Sequence, residues 1–331
     1  MRVANVIADK LTSFFKREIV CEQYPMLSSI SRFMLKADEA IGVVFMLHHI
    51  CEKDPMRIPT NEDLKVSPSF LEKIILKYKK GGFDFVSLDR LYEIATGGDI
   101  PSKPFVVFTI DDGYLDNYTN ALPIFEKYNV PFAVFVATDF VDKRAILWWD
   151  SIDELIMTHD VVTTSDGLSY PCHTFQQRWD AFRYLREKVL RLDQSKLEEE
   201  LKNLFSGFEI DWYEPIRRES MSWEQVKILA HHPLCTIGGH TVSHPALSTV
   251  SFDDAKREIQ MGIKIIEANI ELPVRYFAYP YGTANEVSER EYRLIEDVGI
   301  RMAFMAHQGC VTRNNIKGLT HLPRVYLNEI H

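Results

Sequence analysis

Two neighbouring carboxylates, Asp111 and Asp112, close an apolar run and are followed by Gly113. Adjacent side chains on an extended strand point to opposite sides, but a strand end that turns at glycine can bring both to one rim. Two ionised carboxylates that close repel each other unless a cation or a shared proton intervenes. The alternative is a solvated Asp-Asp-Gly turn. Far along the chain, Gly239-His240-Thr241-Val242-Ser243-His244-Pro245 sets two imidazoles four apart. One helical turn would carry both on one side, spaced to grip a single metal ion. A lone histidine is more often a core residue than a ligand, whereas a pair directly after a strand points to metal. With one carboxylate from the aspartate pair, the histidines give a two-His-one-carboxylate face with open positions for water and substrate. A third word, Phe277-Ala278-Tyr279-Pro280-Tyr281-Gly282, reads as a rigid loop whose Tyr281 N–H can serve as an oxyanion donor, or as an ordinary strand-ending turn.

The elements that must position these groups follow from the apolar pattern. Strands are expected at 41–47, 83–88, 105–110, 131–137, 234–238, 274–279, 302–306 and 322–327, several of them apolar on both faces. Helical patterns lie between them at 69–80, 117–128, 222–230, 251–268 and 287–298. This alternation predicts an α/β fold, and a closed barrel is favoured because each polar cluster follows a different strand. Residues 1–38 read as an N-terminal helical extension and 39–331 as the barrel. A helical insertion at about 150–219, with one long helical pattern over 175–205, is expected to belong to the barrel rather than form a separate domain.

Thr-x-Asp-Asp-Gly, His-Thr-x-x-His-Pro and Tyr-Pro-Tyr-Gly, in this order, resemble the polysaccharide deacetylases, the NodB-homology group also called carbohydrate esterase family 4. The likeness extends to Met46-Leu47-His48-His49-Ile50, to Ser222-Trp223-Glu224-Gln225-Val226 and to Leu322-Pro323-Arg324-Val325, so it runs from about 41 to 327. It implies a distorted (β/α)7–8 barrel with a divalent metal at the C-terminal rim, usually zinc, with cobalt or nickel accepted by related enzymes. It also implies that Asp112, His240 and His244 hold the metal, that Asp111 is the general base, and that the reaction is hydrolysis of an N-acetyl group on an amino sugar. The residues fit that chemistry independently: a metal bound by two neutral imidazoles and one carboxylate keeps positive charge and acidifies water. Asp111 can take the water's proton, while the Tyr281 N–H would stabilise the tetrahedral oxyanion by about 3 kcal/mol. A histidine must then protonate the departing amine. His48, ending the first strand, resembles the acid of members whose barrel order is circularly permuted; its competitor His321, in Leu319-Thr320-His321, precedes a strand instead of ending one. His49 is expected to point away. Many relatives carry an arginine where this chain has Ala278, and Arg275 is a poor substitute on the strand. Arg324 is the expected replacement, its planar fork suited to orienting Asp111.

Trp148 and Trp149 suit either a sugar-binding wall or core packing, and Trp223 suits core. The chain has 331 residues with 38 Lys+Arg and 47 Asp+Glu, a net charge of −9, which argues against a broad nucleic-acid surface. No run of about 18 uncharged apolar residues suggests a membrane span. Charges break up the N-terminal stretch, so it lacks a secretory pattern, and five scattered cysteines suggest reduced thiols. A cytoplasmic enzyme is expected, peripheral to the inner membrane face if the amphipathic stretch 6–15 touches lipid, although packing of that stretch on the barrel is favoured. Its partner would be an N-acetylated sugar or oligosaccharide, nucleotide-linked or lipid-linked, in surface polysaccharide biosynthesis. Two alternatives remain: a deformylase or other deacylase on a lipid-linked sugar, and a catalytically silent carbohydrate-binding barrel. The sequence carries no sign of oligomeric state.

Overall fold

Runs that are apolar at nearly every position become strands buried on both faces. The computed structural model describes residues 40–97, 101–193 and 196–329, so the expected extension over 1–38 and the stretch 6–15 lie outside the described residues. In chain order the strands are β1 (Ala40–Leu47), β2 (Asp84–Phe85), β3 (Phe105–Asp112), β4 (Phe132–Val136), β5 (Val161–Thr163), β6 (Ser169–Pro171), β7 (Cys235–Gly239), β8 (Tyr276–Ala278), β9 (Met302–Gln308), β10 (Val311–Thr312) and β11 (Leu322–Tyr326). The described residues divide into two compact units. The first takes the chain up to Glu52, Lys65–Asp142 and everything from Met221; the second takes Lys53–Leu64 and Lys143–Ser220.

The first unit is the barrel. Its sheet order is β10-β1-β11-β9-β8-β7-β4-β3-β2, and a further pairing of β1 with β3 closes seven parallel strands into a ring. At that seam Gly42 to Leu47 run in register with Phe105 to Ile110. The run at 83–88, expected as a full strand, gives only the short β2 outside the ring. Ser87 ends it by capping the next helix, Leu88–Gly97, through its hydroxyl to the Arg90 N–H at 3.2 Å. The other helices form where the apolar spacing placed them: Pro68–Lys80, Trp223–Ala230, Phe252–Ile270 and Glu289–Asp297. Only the 117–128 segment departs from α geometry, opening with a π turn at Asn117–Ala121 before the helix Leu122–Tyr128.

Alternation along the strands sorts their side chains. Val106, Phe108 and Ile110 of β3 pack with Phe70, Ile74 and Phe125 from the helices. Phe105 and Val107 pack with Ala133, Phe135, Ala278 and Phe304 in a second cluster, the barrel interior. The same parity sends Thr109 and Asp111 inward.

The second unit has its own core, built from Ile58, Trp148, Ile152, Phe182, Leu201 and Trp212 among others. It is not helical throughout: β5 and β6 form an antiparallel hairpin. The long pattern over 175–205 is broken into Phe175–Val189 and Leu197–Leu204. Trp148 is 4 % exposed within this core and Trp149 packs against it, edge to face. Both therefore follow the packing alternative, not the sugar wall.

Candidate active site

The ring of parallel strands brings the polar clusters to the ends of β1, β3, β7 and β8. Asp111 keeps the inward parity of β3, and Asp112 breaks it by adopting φ +78. That left-handed backbone, costly for a non-glycine residue, is what turns two adjacent carboxylates toward one place, one residue before the turn expected at Gly113. Thr241, His244 and Tyr281 also have positive φ, at +71, +60 and +58. Four of the seven non-glycine residues with positive φ among the described residues thus lie at the site.

His240 continues β7, its N–H donating to the Val136 carbonyl at 3.0 Å. Its side-chain Nδ1 lies 2.7 Å from the Ala278 carbonyl, which fixes the ring and leaves Nε2 facing Asp112. His240 and His244 do not share a helical turn, as their spacing suggested; the positive φ values of Thr241 and His244 fold the segment into an irregular loop instead. Glu258, on the Phe252–Ile270 helix, anchors that loop. It accepts the Val242 and Ser243 N–H groups at 2.9 Å each and the Ser243 hydroxyl at 2.9 Å. Gly262 lets the same helix approach, since a Cβ there would lie 2.8 Å from the Thr241 backbone.

The Nε2 atoms of His240 and His244 lie 3.3 and 3.4 Å from Oδ1 of Asp112. The three ligand atoms are all within 4.8 Å of one another. Oδ1 of Asp112 is buried and has no hydrogen-bond partner among the described residues. Three electron-rich atoms facing each other around an unsatisfied carboxylate oxygen fit a divalent cation, and two nitrogens with one oxygen suit zinc, cobalt or nickel. Burial pushes the His244 imidazole down to about 4, so the ring is neutral at pH 7. His240 is also depressed by burial, but Asp112 and Asp111 raise it above its ordinary value.

Asp111 belongs to a different network. Arg324, fully buried in β11, donates to its two oxygens at 2.7 and 2.6 Å. The same guanidinium donates to the Met305 carbonyl at 3.0 Å and the Thr109 hydroxyl at 3.1 Å, and lies 5.8 Å from the Phe135 ring. Thr109 in turn donates to the Phe45 carbonyl at 2.6 Å. Burial alone would raise the Asp111 carboxyl; Arg324 first, with His240 and His48, outweighs it and holds the group below its ordinary value. Arg275 is elsewhere, half-exposed and 3.9 Å from Asp89.

His48 follows β1. Burial depresses its imidazole, with partial compensation by Asp112 and Asp111, and its Nδ1 has no hydrogen-bond partner among the described residues. Its backbone is clamped from the turn after β3: Asn117 Nδ2 donates to the His48 carbonyl and Asn120 Nδ2 to the Ile50 carbonyl, both at 2.8 Å. His49 faces Asp116 and Tyr114, away from Asp112. His321 is exposed and stacked on Tyr292, outside the group. The Tyr281 ring packs edge-on against His244 at 4.9 Å. Thr109, Glu258, Asn117 and Asn120 were not anticipated. Asn117 and Asn120 follow the Asp-Asp-Gly word closely enough to have been suspected, whereas Glu258 carries no signal beyond its place on an amphipathic helix.

Among solved structures, the fold is similar to the deacetylase PplD of Streptococcus pyogenes, solved in complex with acetate (17% identity, TM-score 0.58, covering 88% of this chain and 94% of that one). It is also similar to IcaB of Ammonifex degensii (18%, TM-score 0.56, 87% and 92%) and to a de-N-acetylase of Aggregatibacter actinomycetemcomitans (15%, TM-score 0.54, 88% and 96%). In sequence, the chain is 24% identical over 131 residues to YxkH of Bacillus subtilis (strain 168), whose name assigns it provisionally to the polysaccharide deacetylases. That match spans 40% of this chain and 41% of the relative. The family model for polysaccharide deacetylase matches residues 98–303, a span that takes in the aspartate pair, His240, His244 and the tyrosine turn but neither His48 nor Arg324. On that match, the chain belongs to the polysaccharide deacetylase family.

Proposed function

We propose that the chain hydrolyses the N-acetyl amide of an amino sugar, in a polysaccharide or in its precursor, with a divalent ion, zinc by preference, held by Asp112, His240 and His244. The observation that carries this reading is the unsatisfied Asp112 oxygen between two imidazoles, beside a second aspartate locked by an arginine. A divalent ion bound there supplies a Lewis acid that lowers the pKa of water. Asp111, held ionised by Arg324, accepts the proton of the attacking water. The Tyr281 N–H donates to the carbonyl oxygen as it becomes an oxyanion. His48 gives a proton to the leaving nitrogen, a transfer that its depressed basicity favours once it is protonated. Free amine and acetate result.

The test is an acetate-release screen across N-acetylated oligosaccharides, nucleotide-linked sugars and lipid-linked sugars, with chelation and metal add-back. Acetate release that disappears with chelator and returns with metal is the expected result. Formate or a longer acid in its place would move the reading to a different deacylase, and binding of sugar with no acid released would make the barrel a silent one.

A further inference from the structure

A second group of potential ligands lies just past the end of β1, and the mechanism uses none of them. His49, Cys51 and Asp116 offer one nitrogen, one sulfur and one oxygen, all within 4.8 Å of one another. Ile50, between the first two, is fully buried in the core, which turns His49 and Cys51 to a common side. His49 Nδ1 lies 2.8 Å from Asp116 Oδ2.

The surroundings hold these groups in place. The His49 ring lies against Tyr114, with centroids 3.6 Å apart, and the His49 carbonyl accepts the Val66 N–H at 3.0 Å. Asp116 Oδ1 accepts from Asn117 Nδ2 at 2.9 Å, the same amide that donates to the His48 carbonyl. An outer layer of this kind is what orients ligands in metal centres.

We propose that His49, Cys51 and Asp116 form a second cation site, for a borderline-soft divalent ion such as zinc or cobalt. A thiolate with an imidazole selects such ions over magnesium or calcium. Bonds of about 2.0–2.3 Å in tetrahedral array put ligand atoms roughly 3.3–3.8 Å apart, so small side-chain rotations close the group, and three protein ligands leave one position for water. Binding displaces the thiol proton, and the His49–Asp116 hydrogen bond opens to admit the ion. An ion here would tie the segment that carries His48 to the turn after β3. The proposal does not depend on the deacetylase reading.

The site contains sulfur and the Asp112–His240–His244 group does not, so cobalt distinguishes them. Metal-free full-length chain is titrated with Co2+ while thiolate-to-cobalt charge transfer is followed in the near ultraviolet. The expected result is two equivalents bound, with a charge-transfer band accompanying one of them. The band should persist in His240→Ala, vanish in Cys51→Ser, and need at least about tenfold more cobalt in Asp116→Asn. No thiolate band in the wild type, or a band unchanged in Cys51→Ser, overturns the proposal.

Discussion

Replacing Arg324 by methionine tests the assignment of Asp111 most directly. The substitution keeps an unbranched side chain but removes four hydrogen bonds, two of them to the carboxylate. An ionised Asp111 left alone in the barrel interior would cost about 3–5 kcal/mol, the usual penalty for breaking a buried pair. Protonation offers an escape. Burial, the largest influence on this carboxyl, already acts to raise it, and the guanidinium is the strongest of the groups that hold it down, ahead of His240 and His48. Without Arg324 the carboxyl should rise, because burial is then opposed only by the weaker influence of His240 and His48, and less of it should be in the basic form at a given pH. Loss of a general base is worth about 10²–10⁴ in turnover, so kcat at pH 7 should fall by about 10² or more. It should recover in part as pH rises and the carboxyl ionises. In the wild type the Asp111 contribution to stability is present above the ordinary carboxylate pKa and fades as pH falls through the depressed one. In the variant the sign reverses, and relative stability grows toward acid. Arg324→Lys should lie between the two, since an ammonium keeps the charge but not the fork. The assay is acetate release from about pH 5 to about pH 9, with metal content and thermal unfolding measured in parallel. A folded, metal-bearing Arg324→Met chain with the wild-type kcat and acid limb would refute the reasoning.

Four further outcomes can be checked. Chelation should abolish acetate release and add-back of zinc or cobalt restore it, with metal content tracking activity. His48→Gln should retain metal while kcat drops by about 10²–10⁴ and the alkaline limb of the pH profile disappears, as measured by steady-state kinetics. Gly262→Ala should push the Phe252–Ile270 helix off the Thr241 backbone, lowering stability by about 1–3 kcal/mol in denaturant titration and loosening metal retention. Asn117→Ala should leave the His48 carbonyl without its donor, at a cost of about 1–3 kcal/mol, and lower kcat with little change in KM.

The barrel was legible in the sequence because several of its strands are runs apolar on both faces, and because the polar clusters fall at different strand ends. Strand 83–88 was overread, since periodicity cannot see that Ser87 serves as a cap. In the second unit a continuous helical pattern over 175–205 did not reveal where the helix would stop, and the hairpin β5–β6 has too few residues to leave a period. At the site, spacing showed which residues bear chemistry but not how they converge. The turn of Asp112 into left-handed backbone, and the irregular loop from His240 to His244, are imposed by packing. Residue type did identify Arg324 as the candidate partner for Asp111, because a planar fork matches a carboxylate. Its contacts with Met305 and Thr109 depend on tertiary placement and leave no local signature. Glu258 is likewise invisible until the helix and loop are set side by side.

β11 fills the ring between β1 and β9, and it carries the arginine. Arg324 and Asp111 stand 213 residues apart in the chain, while the three metal-ligand candidates are all made before β11. A nascent polypeptide that stops short of β11 would therefore possess all three candidates yet lack both that wall of the ring and the guanidinium that pairs with Asp111. One late strand thus supplies both a wall of the ring, between β1 and β9, and the charge that faces Asp111.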